Sequence, residues 1–182
     1  MAKIIIPKAN ETEQKIFTKL GITLRDLKRP EELEEIIIHY LDTHNVLHLA
    51  TSRGDEPRST PLEYYNNGMT VFISSEGGGK FANLKENDRV AYSISDPYDP
   101  VEDFFGAKGL QCWGKARYFA KNDDLKAYAE ICKYKRPNPS LAKIGLDKMA
   151  EAFNFKVIII EPERMRFLSL RDGLRNAEWR KE

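Results

Sequence analysis

Hydrophobic positions repeat with a helical period near the N-terminus and with a strand period in the middle of the chain. Apolar side chains three or four positions apart predict an amphipathic helix within residues 10–21 and a second helix that begins at Pro30. From Val46 onward the apolar positions alternate, which predicts short strands separated by turns. Two last strands are expected at 155–160 and 165–170, before a polar tail. Strands in series, with helices set apart from them, indicate an α+β fold.

The pair Asn67-Gly68 lies between two β-rich stretches, 57–65 and 69–74. Asn-Gly favours a tight hairpin because both central positions of such a turn need a positive φ. Pairing across this turn would bring Arg58–Pro61 close to the end of the second stretch. Strands in hairpin order favour a closed or nearly closed barrel, and two later helices within residues 122–153, starting from Asn122 and Ser140, are expected to cover it.

The composition and net charge of the chain argue against nucleic acid and membranes as binding partners. The chain has 29 basic and 28 acidic residues, so its net charge of +1 provides no broad attraction for nucleic acid or an anionic membrane. No stretch has the apolar core of a signal peptide or a membrane span, and we expect a cytoplasmic protein. A length of 182 residues suffices for one domain, 1–182, with a core at about 33–170 and a helical N-terminal extension at 1–30.

The cysteines and histidines do not form the pattern of a metal site. Cys112 and Cys132 lie in a predicted strand and a predicted helix, and they are interpreted as reduced core thiols. His39, His44 and His48 straddle a helix end and a strand, so they are not expected to converge on one ion. The sequence predicts no metal and identifies no catalytic residue.

The segment Ser74-Ser75-Glu76-Gly77-Gly78-Gly79-Lys80 is the strongest candidate for a binding site. It leaves a strand, passes through three glycines and enters a helix, so backbone N–H groups and the positive helix end can face an anion. It is not a P-loop, because Ser74 and Phe81 stand where that motif needs a glycine and a serine or threonine. A plain surface turn is the alternative. Arg58 is either a second ligand of the same anion or a solvated charge on an edge strand.

Five segments occur in an order that is typical of one protein family. They are a Gly-x-Pro-like turn, an arginine-containing strand, a strand that ends in serine, a basic residue before Asn-Leu, and a strand with an internal glycine. In this chain they are Gly54–Pro57, Arg58–Glu63, Val71–Ser75, Lys80–Asp88 and Gln111–Ala116. This order resembles the FMN-binding split barrels related to pyridoxamine 5'-phosphate oxidase, over roughly residues 33–119 and more weakly to about 170. The resemblance implies a six- to seven-stranded antiparallel split β-barrel of Greek-key type, with flanking helices at both ends.

The resemblance also implies FMN as the cofactor and a homodimer with the flavin near the subunit interface. Residues similar to Arg58 and Lys80 bind the FMN phosphate. Gln111 and Trp113 share one strand face and could reach the flavin of the other subunit, although a core position is the alternative for Trp113. The expected cofactor-binding residues are Arg58, Ser59, Thr60, Pro61, Ile73, Ser74, Ser75, Lys80, Asn83, Gln111 and Trp113.

Two positions depart from the oxidase itself, since Glu63 replaces a phosphate-binding lysine and Gly79 replaces an arginine. The oxidase's terminal substrate-binding segment has no counterpart, so pyridoxamine 5'-phosphate oxidation is not implied. The expected function is that of an FMN-dependent oxidoreductase with a small-molecule electron donor or acceptor. The alternatives are a non-catalytic FMN-binding or electron-carrier protein, and a family member that uses haem or no cofactor.

Overall fold

The computed structural model describes residues 2–137, 139–144 and 153–182. This part of the chain contains nine strands and five α-helices, with a short 3-10 helix at Lys121–Asp123. The strands are β1 (Ala2–Ile5), β2 (Val46–Arg53), β3 (Glu56–Glu63), β4 (Tyr65–Asn67), β5 (Thr70–Ser75), β6 (Arg89–Ser95), β7 (Lys108–Ala120), β8 (Lys156–Ser169) and β9 (Leu174–Lys181). The helices are α1 (Glu11–Lys19), α2 (Pro30–Thr43), α3 (Gly79–Glu86), α4 (Leu125–Cys132) and α5 (Pro139–Lys143). The α+β class with an antiparallel sheet is confirmed.

The chain divides into two compact units, each built from separate stretches of sequence. The first contains Met1–His44, Ala91–Gly114 and Pro162–Glu182, and the second contains Asn45–Val90 and Lys115–Glu161. Strands β6, β7 and β8 contribute residues to both. The expectation of a single domain over 1–182 stays a prediction. Its N-terminal extension, expected to be helical, contains strand β1 as well as α1.

The first unit combines the strand order β1-β9-β8-β7-β6 with the two N-terminal helices. Helix α1 begins with a capping box, in which Asn10 accepts the Glu13 N–H and the Glu13 carboxylate accepts the Asn10 N–H. Helix α2 begins at Pro30 because proline suits the first helical position, and it packs against β1 and β9. The fully buried side chains of this unit include Leu33, Ile37, Leu41, Met165, Phe167 and Leu174.

The second unit contains the glycine-rich segment. Strand β2 pairs with β3 from Val46 opposite Glu63 to Arg53 opposite Glu56. Strand β5 pairs with β4 and β8, and helix α3 packs on β2. The fully buried residues shared by one face of β5 and β8 are Val71, Ile73, Ile158 and Ile160. The opposite face forms a cluster of Tyr65, Phe72, Val157 and Ile159, covered by Phe119, Tyr128 and Ile131.

The predicted hairpin forms, but its turn and its pairing differ from the prediction. Asn67 pairs with Thr70, so the turn residues are Gly68 and Met69. Gly68 has φ +57°, whereas the φ of Met69 is not positive. Glycine at the first turn position is the requirement of a type II′ turn, and Asn67 is therefore a strand residue. The ladder covers only three residue pairs, because β3 is paired with β2 instead of with β5.

The polar tail expected after residue 170 is in fact strand β9, which pairs with both β1 and β8. Strand β8 also runs unbroken from Lys156 to Ser169, where two strands were expected. Pro162 lies within this strand, between the residues that pair with β5 and those that pair with β9.

The later helices begin at other residues than predicted. Asn122 lies in the 3-10 helix, and the N-cap of α4 is Asp124, whose side chain accepts the Ala127 N–H at 2.8 Å. Ser140 lies within α5 rather than before it. Residues 145–152, where this helix was expected to continue, lie outside the described residues.

Candidate anion and cofactor site

The glycine segment turns the chain from β5 into α3. Gly78 precedes the helix with φ +106°, a conformation that favours glycine. The Phe81 N–H donates to the Gly78 carbonyl at 3.1 Å, and the Ser75 hydroxyl donates to the Gly77 carbonyl at 3.4 Å. The helix therefore begins immediately after the turn, and its positive end lies at the glycines.

Strand pairing and a hydrogen bond between α3 and β2 together place Arg58 beside this helix end. Arg58 lies opposite Thr51 in the β2–β3 ladder, and the buried Asn83 of α3 donates a hydrogen bond from Nδ2 to Thr51 Oγ1 at 3.0 Å. This bond holds α3 over the strand that neighbours Arg58. A Cβ placed on Gly79 would lie only 2.9 Å from Arg58 Nη1. The guanidinium group therefore occupies the space that the absent side chain of Gly79 leaves open.

Lys80 is the second cation at the helix end. Its side chain is only 6% exposed, and its Nζ donates to the Gly77 carbonyl at 2.5 Å. Burial lowers the pKa of Lys80 below 10.5, and the positive charge of Arg58 lowers it further. Among the described residues, no carboxylate forms an ion pair with Lys80 or Arg58. Within the described part of the chain the two cations thus lack a carboxylate counter-ion, which favours the binding of an external anion.

The neighbouring predicted residues occupy different positions around this end. Ser59 and Pro61 are exposed on β3 and Thr60 is half-buried, with its Oγ1 accepting from Arg58 Nε at 3.4 Å. Ile73 is fully buried. The Ser74 hydroxyl lies 3.0 Å from the Tyr65 hydroxyl. The structure therefore places Arg58, Ser75 and Lys80 at the glycines, and Thr60 beside Arg58. The side chains of Ser74 and Asn83 instead contact Tyr65 and Thr51, and Ile73 lies in the core.

Gln111 and Trp113 lie on β7 in the first unit. Gln111 is exposed and Trp113 is half-buried, while the intervening Cys112 is 1% exposed, so the two predicted residues share the face opposite Cys112. The Arg164 guanidinium carbon lies 3.8 Å from the centre of the Trp113 ring. Burial raises the pKa of the Cys112 thiol to about 12, which agrees with an unreactive core thiol.

The first unit also contains a cavity of about 550 Å³ beside the C-terminal half of α2. Within it His44 Nε2 lies 2.8 Å from Asp96 Oδ1, the Tyr40 hydroxyl donates to the same oxygen at 2.6 Å, and Lys108 Nζ lies 3.1 Å from Asp172 Oδ2. Asp96 and Asp172 thus have polar or charged partners, whereas none of the described carboxylates pairs with Arg58 or Lys80. No group of three or more metal-ligating side chains is arranged around an ion in the described ranges.

Sequence reasoning missed one cation near the glycine segment, Lys156. It is the first residue of β8 and lies opposite Ser75 in the β5–β8 ladder. Its Nζ lies 5.0 Å from the centre of the Phe81 ring. Lys156 follows the segment by more than seventy residues, so no local spacing could have indicated this proximity.

A sequence profile of the pyridoxamine 5'-phosphate oxidase family matches residues 30–169, and the chain belongs to this family. The match extends beyond the segments that carry the resemblance and includes the whole of α2 and of β8. No protein among the curated sequences matches the chain significantly.

Solved structures support the same fold. A putative pyridoxamine 5'-phosphate oxidase from Listeria innocua is 22% identical, with a TM-score of 0.50 over 75% of this chain and 98% of that chain. Protein Rv2991 from Mycobacterium tuberculosis is 18% identical, with a TM-score of 0.57 over 84% and 94%. The haem storage protein HutZ from Vibrio cholerae is also 18% identical, with a TM-score of 0.53 over 72% and 90%. At these levels of identity the similarities show the fold alone, and they confirm the split-barrel architecture.

None of the helices in the described ranges is both long enough and apolar enough to cross a bilayer.

Proposed function

We propose that this protein is a flavoprotein that binds FMN, with the phosphate at the glycine segment between Arg58 and Lys80. The observation that carries the proposal is the approach of these two cations to the start of α3 without a carboxylate partner in the described part of the chain. A phosphate monoester is a dianion at neutral pH and fits a pair of cations beside a helix N-terminus. The residues present therefore suit the phosphate end of FMN.

Phosphate contacts alone leave part of the binding energy unexplained. Micromolar affinity requires about 8 kcal/mol, whereas two charge-assisted contacts contribute roughly 1.5–3 kcal/mol each and a helix end about 0.5–1 kcal/mol. Burial of the isoalloxazine ring has to supply the remainder. Arg58, Ser59 and Pro61 are exposed in the single chain. A second copy that covers this strand would bury the ring, which supports a two-fold homodimer with the flavin near its interface.

The reaction class that follows is electron or hydride transfer to or from a small molecule. Bound FMN supplies the redox chemistry, and the chain binds the phosphate, orients the ring and limits the access of water. A non-catalytic FMN-binding or electron-carrier protein would use the same residues. The two functions are separated by multiple turnovers with NADPH and an electron acceptor, which only an oxidoreductase supports. A cytoplasmic location stays a prediction.

The first experiment is the visible spectrum of the purified protein, before and after FMN is added and the excess is removed by gel filtration. We expect retained flavin at about one per chain on a dimer-sized peak. A Soret band would show that the bound cofactor is haem and not FMN. The absence of any retained chromophore would contradict the proposal.

The phosphate contacts are tested by titrating FMN into Arg58→Ala and Lys80→Met. Each variant should bind FMN with about 1.5–3 kcal/mol less free energy, because each loses one charge-assisted contact. Lys85→Met is the matched control, since Lys85 lies exposed in the last turn of the same helix. Unchanged affinity in both test variants would exclude this phosphate position.

A further inference from the structure

Lys156 lies beside the same ring as Lys80, although the two residues belong to distant parts of the chain. The Nζ atoms of Lys80 and Lys156 are each 5.0 Å from the centre of the Phe81 ring. The two ammonium groups can therefore be no further apart than twice that distance. Phe81 itself is 4% exposed and is the third residue of α3, so both cations lie near the start of that helix.

The β5–β8 ladder directs Lys156 towards the glycine segment. Lys156 pairs with Ser75, and paired residues project from the same face of a sheet. Ser75 is the last residue of β5, and its hydroxyl donates to Gly77 at 3.4 Å. The face that Lys156 shares with Ser75 continues into fully buried residues such as Ile73 and Ile158. Lys156 therefore lies at the end of this buried sheet face, next to the start of the glycine segment.

The described residues provide no carboxylate partner for Lys156, as for Arg58 and Lys80. Three cations that lie near one helix end repel each other in the absence of an anion. A phosphate dianion relieves this repulsion more effectively than a singly charged or neutral group. Lys156 also contacts Phe81, so a purely structural cation–π role has to be separated from phosphate recognition.

We propose that Lys156 is a third phosphate-binding residue that makes the site selective for a phosphorylated ligand over its uncharged counterpart. This assignment rests on the proposed FMN site and adds a residue to it. The ligand class is a phosphate monoester, with FMN against riboflavin as the matched pair that differs only in the phosphate.

The test compares Lys156→Met with Lys156→Arg in titrations of FMN and riboflavin. Methionine retains an unbranched apolar chain against Phe81 but removes the charge, whereas arginine retains the charge. We expect Lys156→Met to bind FMN at least about tenfold more weakly and riboflavin with unchanged affinity, while Lys156→Arg stays within a few-fold of wild type. Lys85→Met again controls for the loss of one positive charge.

Three results would overturn the assignment. They are equal losses for FMN and riboflavin, equal losses in Lys156→Met and Lys85→Met, and a fall in the melting temperature of Lys156→Met that accounts for weaker binding. Failure of the flavin proposal is recognised separately by adding inorganic phosphate and measuring the melting temperature. If the wild type binds no FMN but phosphate stabilises it more than Lys156→Met, Lys156 recognises phosphate and only the flavin is wrong. If phosphate has the same effect on both proteins, the role of Lys156 is refuted.

Discussion

Gly79 determines how closely Arg58 approaches the start of α3. Its backbone conformation is not special, because its φ is not positive, unlike the φ of Gly78 and of the turn glycines. Its importance is steric, since a methyl group would lie 2.9 Å from Arg58 Nη1. A side chain at residue 79 and the present position of Arg58 are thus mutually exclusive. This explains how a chain with glycine here can still present a cation at the helix end.

We predict that Gly79→Ala weakens FMN binding while the fold is retained. The alanine methyl displaces the end of a flexible side chain, which costs little stability, but it moves the guanidinium group from the phosphate position. The loss should approach that of Arg58→Ala, about 1.5–3 kcal/mol, in an FMN titration, with an unchanged melting temperature. Unchanged FMN affinity would show that Arg58 does not bind phosphate from its present position.

Gly173→Ala is the contrasting variant for the stability measurement. Gly173 has φ +76°, and an added Cβ would lie 2.2 Å from the backbone oxygen of Thr23. Backbone cannot move aside as a side chain can, so this variant should melt at a clearly lower temperature. Comparing Gly79→Ala with Gly173→Ala shows that the melting temperature does fall when a substitution strains the backbone.

The residues of the anion site could be proposed from sequence, but the reason for their proximity could not. The hairpin was expected to bring Arg58 towards the glycine segment by pairing 57–65 with 69–74. In the structure, Arg58 is positioned by pairing with Thr51, and α3 is held over that strand by Asn83. Local turn signals specify neighbours along the chain, whereas the pairing of β3 and the approach of Lys156 depend on long-range packing.

At the scale of elements, β9 shows why an alternating pattern can be missed. Its residue Glu178 is only 4% exposed, although glutamate is typical of a polar tail. Arg166 lies opposite Glu178 in the β8–β9 ladder and donates to its Oε2 from Nη2 at 2.9 Å, and Arg180 donates to Oε1. Arg180 is two residues away on the same strand, whereas Arg166 becomes a neighbour only through the pairing of β8 with β9. Together they compensate the buried carboxylate and allow the strand to form.

We predict that Glu178→Gln destabilises the protein at neutral pH and that the difference narrows in acid. Burial raises the pKa of Glu178, but hydrogen bonds from Arg166 and Arg180 outweigh it, so the pKa lies below 4.5. A lowered pKa means that the carboxylate's stabilisation is complete above pH 4.5 and is lost as the pH falls through the folded-state pKa. Urea unfolding at pH 7 should show a loss of about 1–3 kcal/mol.

The control for this pair is Glu182→Gln. Glu182 Oε1 lies 3.4 Å from Lys3 Nζ, and about half of each side chain is exposed, so the expected loss is below about 1 kcal/mol. Equal losses in the two variants, or a difference for Glu178→Gln that does not change with pH, would contradict the role assigned to the buried carboxylate.

At the scale of the whole molecule, family membership establishes the fold but leaves the arrangement of subunits to experiment. Trp113 can be used to test whether a second subunit contributes to the flavin site. Its ring is half-buried and one contact of the ring is with Arg164, 3.8 Å from its centre. If the second copy places this tryptophan against the flavin, Trp113→Leu should shift the flavin absorption bands while the preference for FMN over riboflavin remains. An unaltered spectrum would make Trp113 a core residue.

A mixed dimer determines which chain supplies the tryptophan. One chain carries Arg58→Ala and Lys80→Met, and the other carries Trp113→Leu, with different affinity tags for purification of the heterodimer. If Trp113 contacts the flavin held by its partner, one site combines an intact phosphate position with an intact tryptophan, and the other site lacks both. We then expect one flavin per dimer with the wild-type spectrum and affinity. If each site is built from one chain, neither is intact, and flavin with the wild-type spectrum and affinity would be absent, which would refute the shared site.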